Sequence, residues 1–277
     1  MELKLFRKKS GSVGIWSRTG ADENRETVRV AVCGASRGAG VSFICGILAA
    51  ELSSSHRVTV AELGKPYFYT ALGMEKRFAS RPFAFYSSLI ENGKSLKSVY
   101  NVGESINWAV RHPRDTGAME AASLFRCFAN IPGEIIVFDC SGLEPDLAKS
   151  VMAEADCRIV VIDPMPSALF DAFAFLEDVR LRFPDSVIAV NKMNDGVHRG
   201  ELSRFLGSKE CVSIPFVTPE LLYKAEYNCM LPYSVPGIFE ETSEAAGRLA
   251  EKITKKNHSI SGVLLCNMGH MLYNDGW

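Results

Sequence analysis

The order of apolar runs constrains this chain more than any single residue does. Short, nearly continuous apolar segments recur: VRVAVCG (28–34), RVTVAELG (57–64), EIIVFDCSG (134–142), CRIVVIDP (157–164), SVIAVNK (186–192) and CVSIPF (211–216), with 106–110 as a briefer one. Stretches of helical spacing separate them: SFICGILAAELSS (42–54), a segment around 115–129, one before 157, LFDAFAFLEDVRLRF (169–183), ELSRFLG (201–207) and IFEETSEAAGRLAEKITK (238–255). Strands that are apolar on both faces and alternate with helices predict an α/β fold, a doubly wound, mostly parallel sheet with helices on both faces. Ligands of such sheets bind beyond the carboxyl ends of the strands, which singles out the loops 34–42, 62–69, 139–145, 163–168 and 191–196.

The chain has 277 residues, which suits one α/β domain over 27–256, a basic lead-in over 1–26 and a C-terminal tail over 257–277. Lys and Arg number 31 against 32 Asp and Glu, so net charge supplies no pull toward nucleic acid, and DNA is not an expected partner. The first twenty positions carry Lys4, Arg7, Lys8, Lys9 and Arg18 against Glu2, either a solvated tail or a weak contact to an anionic membrane surface. No apolar run approaches the ~18 residues of a membrane span, and no apolar stretch follows the basic start as in a secretory signal. A cytoplasmic protein, peripheral at the membrane at most, is expected. Eight cysteines without a C-x-x-C pair read as reduced thiols, and Cys266 with His270 lacks two of the four ligands of a structural zinc.

The loop after the first strand, G-A-S-R-G-A-G-V-S (34–42), has the composition of a phosphate cradle. Gly34, Gly38 and Gly40 let backbone amides converge on an anion, and Ser42 opens a helix whose dipole favours negative charge. A phosphate-binding loop places Lys immediately before that hydroxyl, where this chain has Val41. The glycine spacing does not fit a dinucleotide-binding turn. Asn191 and Lys192 begin an N-K-x-D guanine box that ends in Asn194, which disfavours GTP.

The succession of these segments resembles the MinD/ParA group of P-loop ATPases, with their deviant loop K-G-G-x-G-K-[ST]. S-R-G-A-G-V-S (36–42) falls on that pattern, with Gly38, Gly40 and Ser42 matching. DCSG (139–142) resembles the family's D-x-x-G switch, and ADCRIVVIDPMPSAL (155–169) its following strand and turn. VNKM (190–193) resembles the strand end whose Asn contacts adenine, and SIPFVTPELLYKAEYNCMLPY (213–233) the closing stretch, with Pro215 near the base. The resemblance covers about residues 27–255. It implies a nucleotide cradle of Gly34, Arg37, Gly38, Ala39, Gly40, Val41 and Ser42, magnesium on Ser42 and Asp139, and a homodimer. Asp139 could equally cap the turn after its strand, and Asn191 the loop.

The family's charged machinery is missing. Its signature Lys falls on Ser36 and its second Lys on Val41; the D-x-D that places the attacking water is Glu62 followed by Gly64. Stabilisers of transferring phosphate charge are worth ~10³–10⁵ in rate, so little or no hydrolysis is expected. The leading expectation is a degenerate MinD/ParA-like pseudo-ATPase with weak or absent ATP/ADP and magnesium binding, acting as a localisation or recruitment scaffold. TadZ-like proteins of the family, which place pili or secretion machinery, also have atypical loops. The alternatives are an active partitioning or septum-site ATPase in which Arg37 replaces the lysines, and a nucleotide-free scaffold. Tyr67, Phe68, Tyr69, Phe78, Phe83, Phe85, Tyr86 and Trp108 are expected in or against the core, or on a partner surface.

Overall fold

In a computed structural model the described residues are 27–80, 83, 85–86, 100–101, 106–115, 117, 119–207 and 211–271; beyond 255 only the backbone is described. The lead-in 1–26 and residues 272–277 lie outside them. Eight strands form one sheet in the order β3-β4-β2-β5-β1-β6-β7-β8. They are β1 (Val28–Gly34), β2 (Val58–Glu62), β3 (Tyr100–Asn101), β4 (Ile106–Ala109), β5 (Ile135–Asp139), β6 (Cys157–Ile162), β7 (Val187–Met193) and β8 (Cys211–Pro215). Every pairing is parallel except β3 with β4 at the edge. All seven strands expected from the sequence form. The two-residue β3 has no apolar run to announce it.

Period-two alternation on the central strand explains how both faces are covered. Val30 and Val32 of β1 pack with Ile44, Ile47 and Leu48 of α1 (Val41–Leu52) and with Ala245, Leu249 and Ile253 of the last helix. Ala31 and Cys33 point the other way, into a second cluster. That cluster takes in α4 (Ala121–Asn130), α5 (Pro145–Glu154), α6 (Pro166–Arg182) and α7 (Arg199–Phe205). Helix α1 is apolar nearly all round because it is sandwiched between the sheet and α9 (Pro236–Met271). Two short helices, α2 (Phe68–Ala71) and α3 (Met74–Arg77), precede the edge, and α8 (Pro219–Tyr227) precedes α9.

Two boundaries differ from the sequence reading, and one helix adds to it. Helix α4 starts at Ala121, not 115, because Arg111 to Gly117 are spent on side-chain and turn hydrogen bonds. Helix α9 continues beyond 255 to Met271, so the boundary placed at 256 falls inside a helix. Helix α8 lies in the closing stretch, where Pro219 at its first turn starts it. Trp108, Phe68, Phe78 and Tyr86 are buried, and Tyr67, Tyr69, Phe83 and Phe85 pack against the core. Among the described cysteines all are free thiols, and no group of three or more His, Cys, Asp or Glu could hold a metal; Cys266 and His270 fall outside the described side chains. No described helix is long and apolar enough to cross a membrane.

Candidate functional site

Strand β1 lies between β5 and β6, where successive connections turn to opposite sides of the sheet. The crevice above its carboxyl end is therefore the expected ligand position. The loop 34–42 occupies it. Gly38 (φ 75°) and Gly40 (φ 95°) are left-handed, a conformation side chains rarely adopt, and Gly40 caps α1 without a side-chain hydrogen bond. Among the described residues no backbone carbonyl accepts from the amides of Gly38, Gly40, Val41 or Ser42. Those donors face the start of a twelve-residue helix, the arrangement that receives an oxyanion.

Val41, at the position of the family's second Lys, is 6% exposed; its Cγ2 lies 3.0 Å from where a Cβ on Gly34 would sit. It fills core space and offers no charge to a phosphate. Arg37 is exposed on the loop crest. Ala39 is buried beneath it. Ser36 buries a hydroxyl that has no hydrogen-bond partner.

Ser42 Oγ stands 3.5 Å from Ser141 Oγ, in the turn after β5. That turn is anchored by Asp139, whose Oδ1 accepts the Ser141 amide at 2.8 Å. The other oxygen, Oδ2, is buried without a hydrogen-bond partner. Burial raises the Asp139 carboxyl above its ordinary pKa, against the opposing pull of the nearby Ser42 hydroxyl and the Ser141 amide and hydroxyl. An orphaned carboxylate oxygen beside a helix-opening hydroxyl fits a hard divalent cation such as magnesium. Asp139 also makes the turn-capping bond, so both readings of it have a physical basis.

Asn191 and Lys192 reach the loop from the end of β7. Asn191 is 5% exposed and donates through Nδ2 to the Ala39 carbonyl at 2.9 Å. A Cβ on Gly40 would come within 2.2 Å of that nitrogen. Lys192 adopts φ 59°, unusual for a non-glycine residue. Its Nζ donates to the Gly38 carbonyl at 2.8 Å and to Asp163 Oδ2 at 2.6 Å. Asp163 is itself fixed by the Met165 amide at 3.0 Å. Asn194 is occupied in its own turn, accepting from Gly196 and donating to the Lys192 carbonyl. Pro215, half-buried, pairs with Met193 past a bulge at the rim.

Gly34, Arg37, Gly38, Ala39, Gly40, Val41 and Ser42 thus lie together with Asp139 and Asn191 at one mouth, with Pro215 farther along its rim. Sequence reasoning noted Lys192 only within a failed guanine box and gave Asp163 and Ser141 no role. The Asp at the end of β6 and a lysine following the β7 asparagine were the available signals, yet their meeting over Gly38 depends on the sheet order.

Asn191 offers a direct stability test. Asn191→Ala leaves the buried Ala39 carbonyl without its donor and should cost about 1–2 kcal/mol in denaturant unfolding. Gly40→Ala should be destabilising alone and distinctly less so in the Asn191→Ala background, where the 2.2 Å contact is gone. Additive effects of the two changes would show that the contact does not govern this loop.

No family model and no curated protein sequence matches the chain. Solved structures do. A putative plasmid partition protein of Borrelia burgdorferi B31, bound to AMPPNP, superposes with a TM-score of 0.64 at 14% identity, covering 83% of this chain and 98% of that one. The fold is that of the MinD/ParA ATPases. The ParA family ATPase of Chlorobium tepidum TLS gives 0.63 at 15% identity, covering 80% and 99%. MinD in the MinC:MinD cell division complex of Aquifex aeolicus gives 0.59 at 16% identity, covering 85% and 96%. The expected MinD/ParA-like architecture, a seven-stranded parallel sheet flanked by helices, is the one found, with an antiparallel edge strand added.

Proposed function

We propose that this protein is a MinD/ParA-like nucleotide-binding protein that has kept the cradle and lost the engine. It binds adenine nucleotide with magnesium weakly, hydrolyses it slowly or not at all, and works by recruiting or localising a partner, as a homodimer. The observation that carries the reading is the contrast within one mouth. The amides of Gly38, Gly40, Val41 and Ser42 and the free Asp139 Oδ2 are set out for phosphate and cation, while Val41 is buried in the core where the family has Lys. The AMPPNP held by the Borrelia burgdorferi protein and the MinC partner of the Aquifex aeolicus MinD are consistent with a bound nucleotide and a protein partner.

Bound magnesium would supply positive charge between the phosphates, held by Ser42 and Asp139. Orienting a water would need a free carboxylate on the loop after β2. Glu62 is not free: it is fully buried, with both oxygens accepting backbone amides. Lys192 reaches the loop backbone from β7, and its ammonium is engaged by the Gly38 carbonyl and Asp163. Contact of residues 1–20 with an anionic surface belongs to the same proposal.

Magnesium-ATP should raise the melting temperature by a few degrees at millimolar concentration, with phosphate release at background. Absence of any shift would leave the nucleotide-free scaffold. Arg37 favours the second reading, an active ATPase, because its side chain is exposed on the loop crest. Phosphate release abolished by Arg37→Ala would establish that alternative.

A further inference from the structure

On the same carboxyl edge of the sheet, beyond β4, an open hollow of about 520 Å³ lies between Arg111 and the first turns of α4. We infer that this hollow is a second ligand site, one that binds the oxyanion, phosphoryl or carboxylate, of a small molecule. It is independent of the glycine loop.

Three kinds of donor converge there. Helix α4 has ten residues, and Glu120 at its N-cap makes no side-chain capping bond. Among the described residues no carbonyl accepts from the amides of Ala121, Ala122 or Ser123. Ser123 and Arg126, three residues apart on one helix face, both line the hollow. Arg126 is exposed, and among the described residues it makes no ion pair. Opposite them stands Arg111, only 6% exposed. Its guanidinium donates to the Gly64 carbonyl at 2.5 Å and to Gly117 at 2.9 Å, which leaves three of its five N–H groups unused. Its buried Nε has no hydrogen-bond partner, and the Asp115 carboxylate pairs with its charge across 4.0 Å.

A guanidinium that lines the hollow with N–H groups to spare, together with uncapped helix amides and a second arginine, is the constellation that receives a charged oxygen. The hollow has the volume of a small-molecule site rather than of a single ion. Asp115 and Glu120 also line it with the two arginines, so its formal charge is balanced. Arg111 holds the Gly64 carbonyl, and Lys65 follows with its amide on Ser141. An occupant of this hollow therefore lies against the arginine that holds the Gly64 carbonyl.

The test titrates inorganic phosphate, and separately succinate, into isotopically labelled protein while following backbone amides by NMR. Shifts at residues 121–123 are expected with at least one anion, and the anion that produces them names the source. The Ser123→Ala/Arg126→Ala double variant should bind about tenfold more weakly, a loss of about 1.4 kcal/mol. Both side chains are on the surface, and circular dichroism checks that the variant is folded. Shifts at 38–42 report the glycine loop and are read separately. No response at 121–123 with either anion, or a response of unchanged affinity in the double variant, overturns the inference. Neither result depends on whether nucleotide binds.

Discussion

Gly64→Ala is expected to lower the melting temperature by roughly 6–12 °C, from an overpacking cost of about 3 kcal/mol in a domain of this size. A Cβ at position 64 would lie 1.9 Å from the Ser141 carbonyl oxygen and 2.8 Å from its carbon, both backbone atoms with nowhere to rotate. The loop after β2 and the turn after β5 are in direct contact here, joined by the Lys65 amide on the Ser141 carbonyl at 2.6 Å. Adding a methyl must part them, and Ser141 then withdraws from Ser42. The variant should also lose whatever melting response magnesium-ATP produces in the parent protein. A melting temperature within about 2 °C of the parent would show that the two loops are not so closely packed. Position 64, which the resemblance sets on the second Asp of a D-x-D, accepts no side chain here without separating the loops.

The second large effect is a dependence of stability on pH that runs through Glu62. This carboxyl is fully buried at the end of β2, beside Asp139 in register. Its Oε1 accepts the amides of Tyr67 and Phe68, each at 2.6 Å, and its Oε2 accepts that of Arg111 at 2.8 Å. Burial raises its pKa from 4.5 to about 7, outweighing the three amides that favour the ionised form. The native state then holds this proton more tightly than the unfolded chain does. The stabilisation is complete below about pH 4.5 and is lost as pH rises through about 7, with a span of about 3 kcal/mol at ~1.4 kcal/mol per unit. Asp139, raised by burial as well, acts in the same direction. Urea midpoints should therefore fall between pH 5 and 7.5, and Glu62→Gln, which cannot titrate, should flatten that slope without abolishing the Asp139 part. An identical slope in Glu62→Gln would exclude Glu62 as its source.

Much of the fold was legible because burial on both faces leaves strands apolar from end to end. VRVAVCG, EIIVFDCSG and CRIVVIDP therefore read as strands without reference to anything distant. Helix α1 read as buried for the same reason. The edge was less legible. Strand β3 is two residues held by antiparallel pairing to β4, and α4 begins late because Arg111 draws the preceding segment into its own hydrogen bonds. Neither leaves a periodic trace in the sequence.

What the sequence determined by itself was local: a glycine turn after a buried strand, a serine opening a helix, an aspartate at a strand end, and the absence of lysine from the turn. Tertiary structure decided the rest, because hydrogen-bond partners 29 to 154 residues apart meet only after the sheet has ordered its strands. It set Asn191 under Gly40 and Lys192 across Gly38 and Asp163, and it left Asp139 Oδ2 unsatisfied. It also made Glu62 and Gly64, which the sequence marked only as the place of a missing D-x-D, part of the packed joint between two loops. A side chain's chemistry is written in the chain, but whether its donors and acceptors are free is a property of the folded neighbourhood.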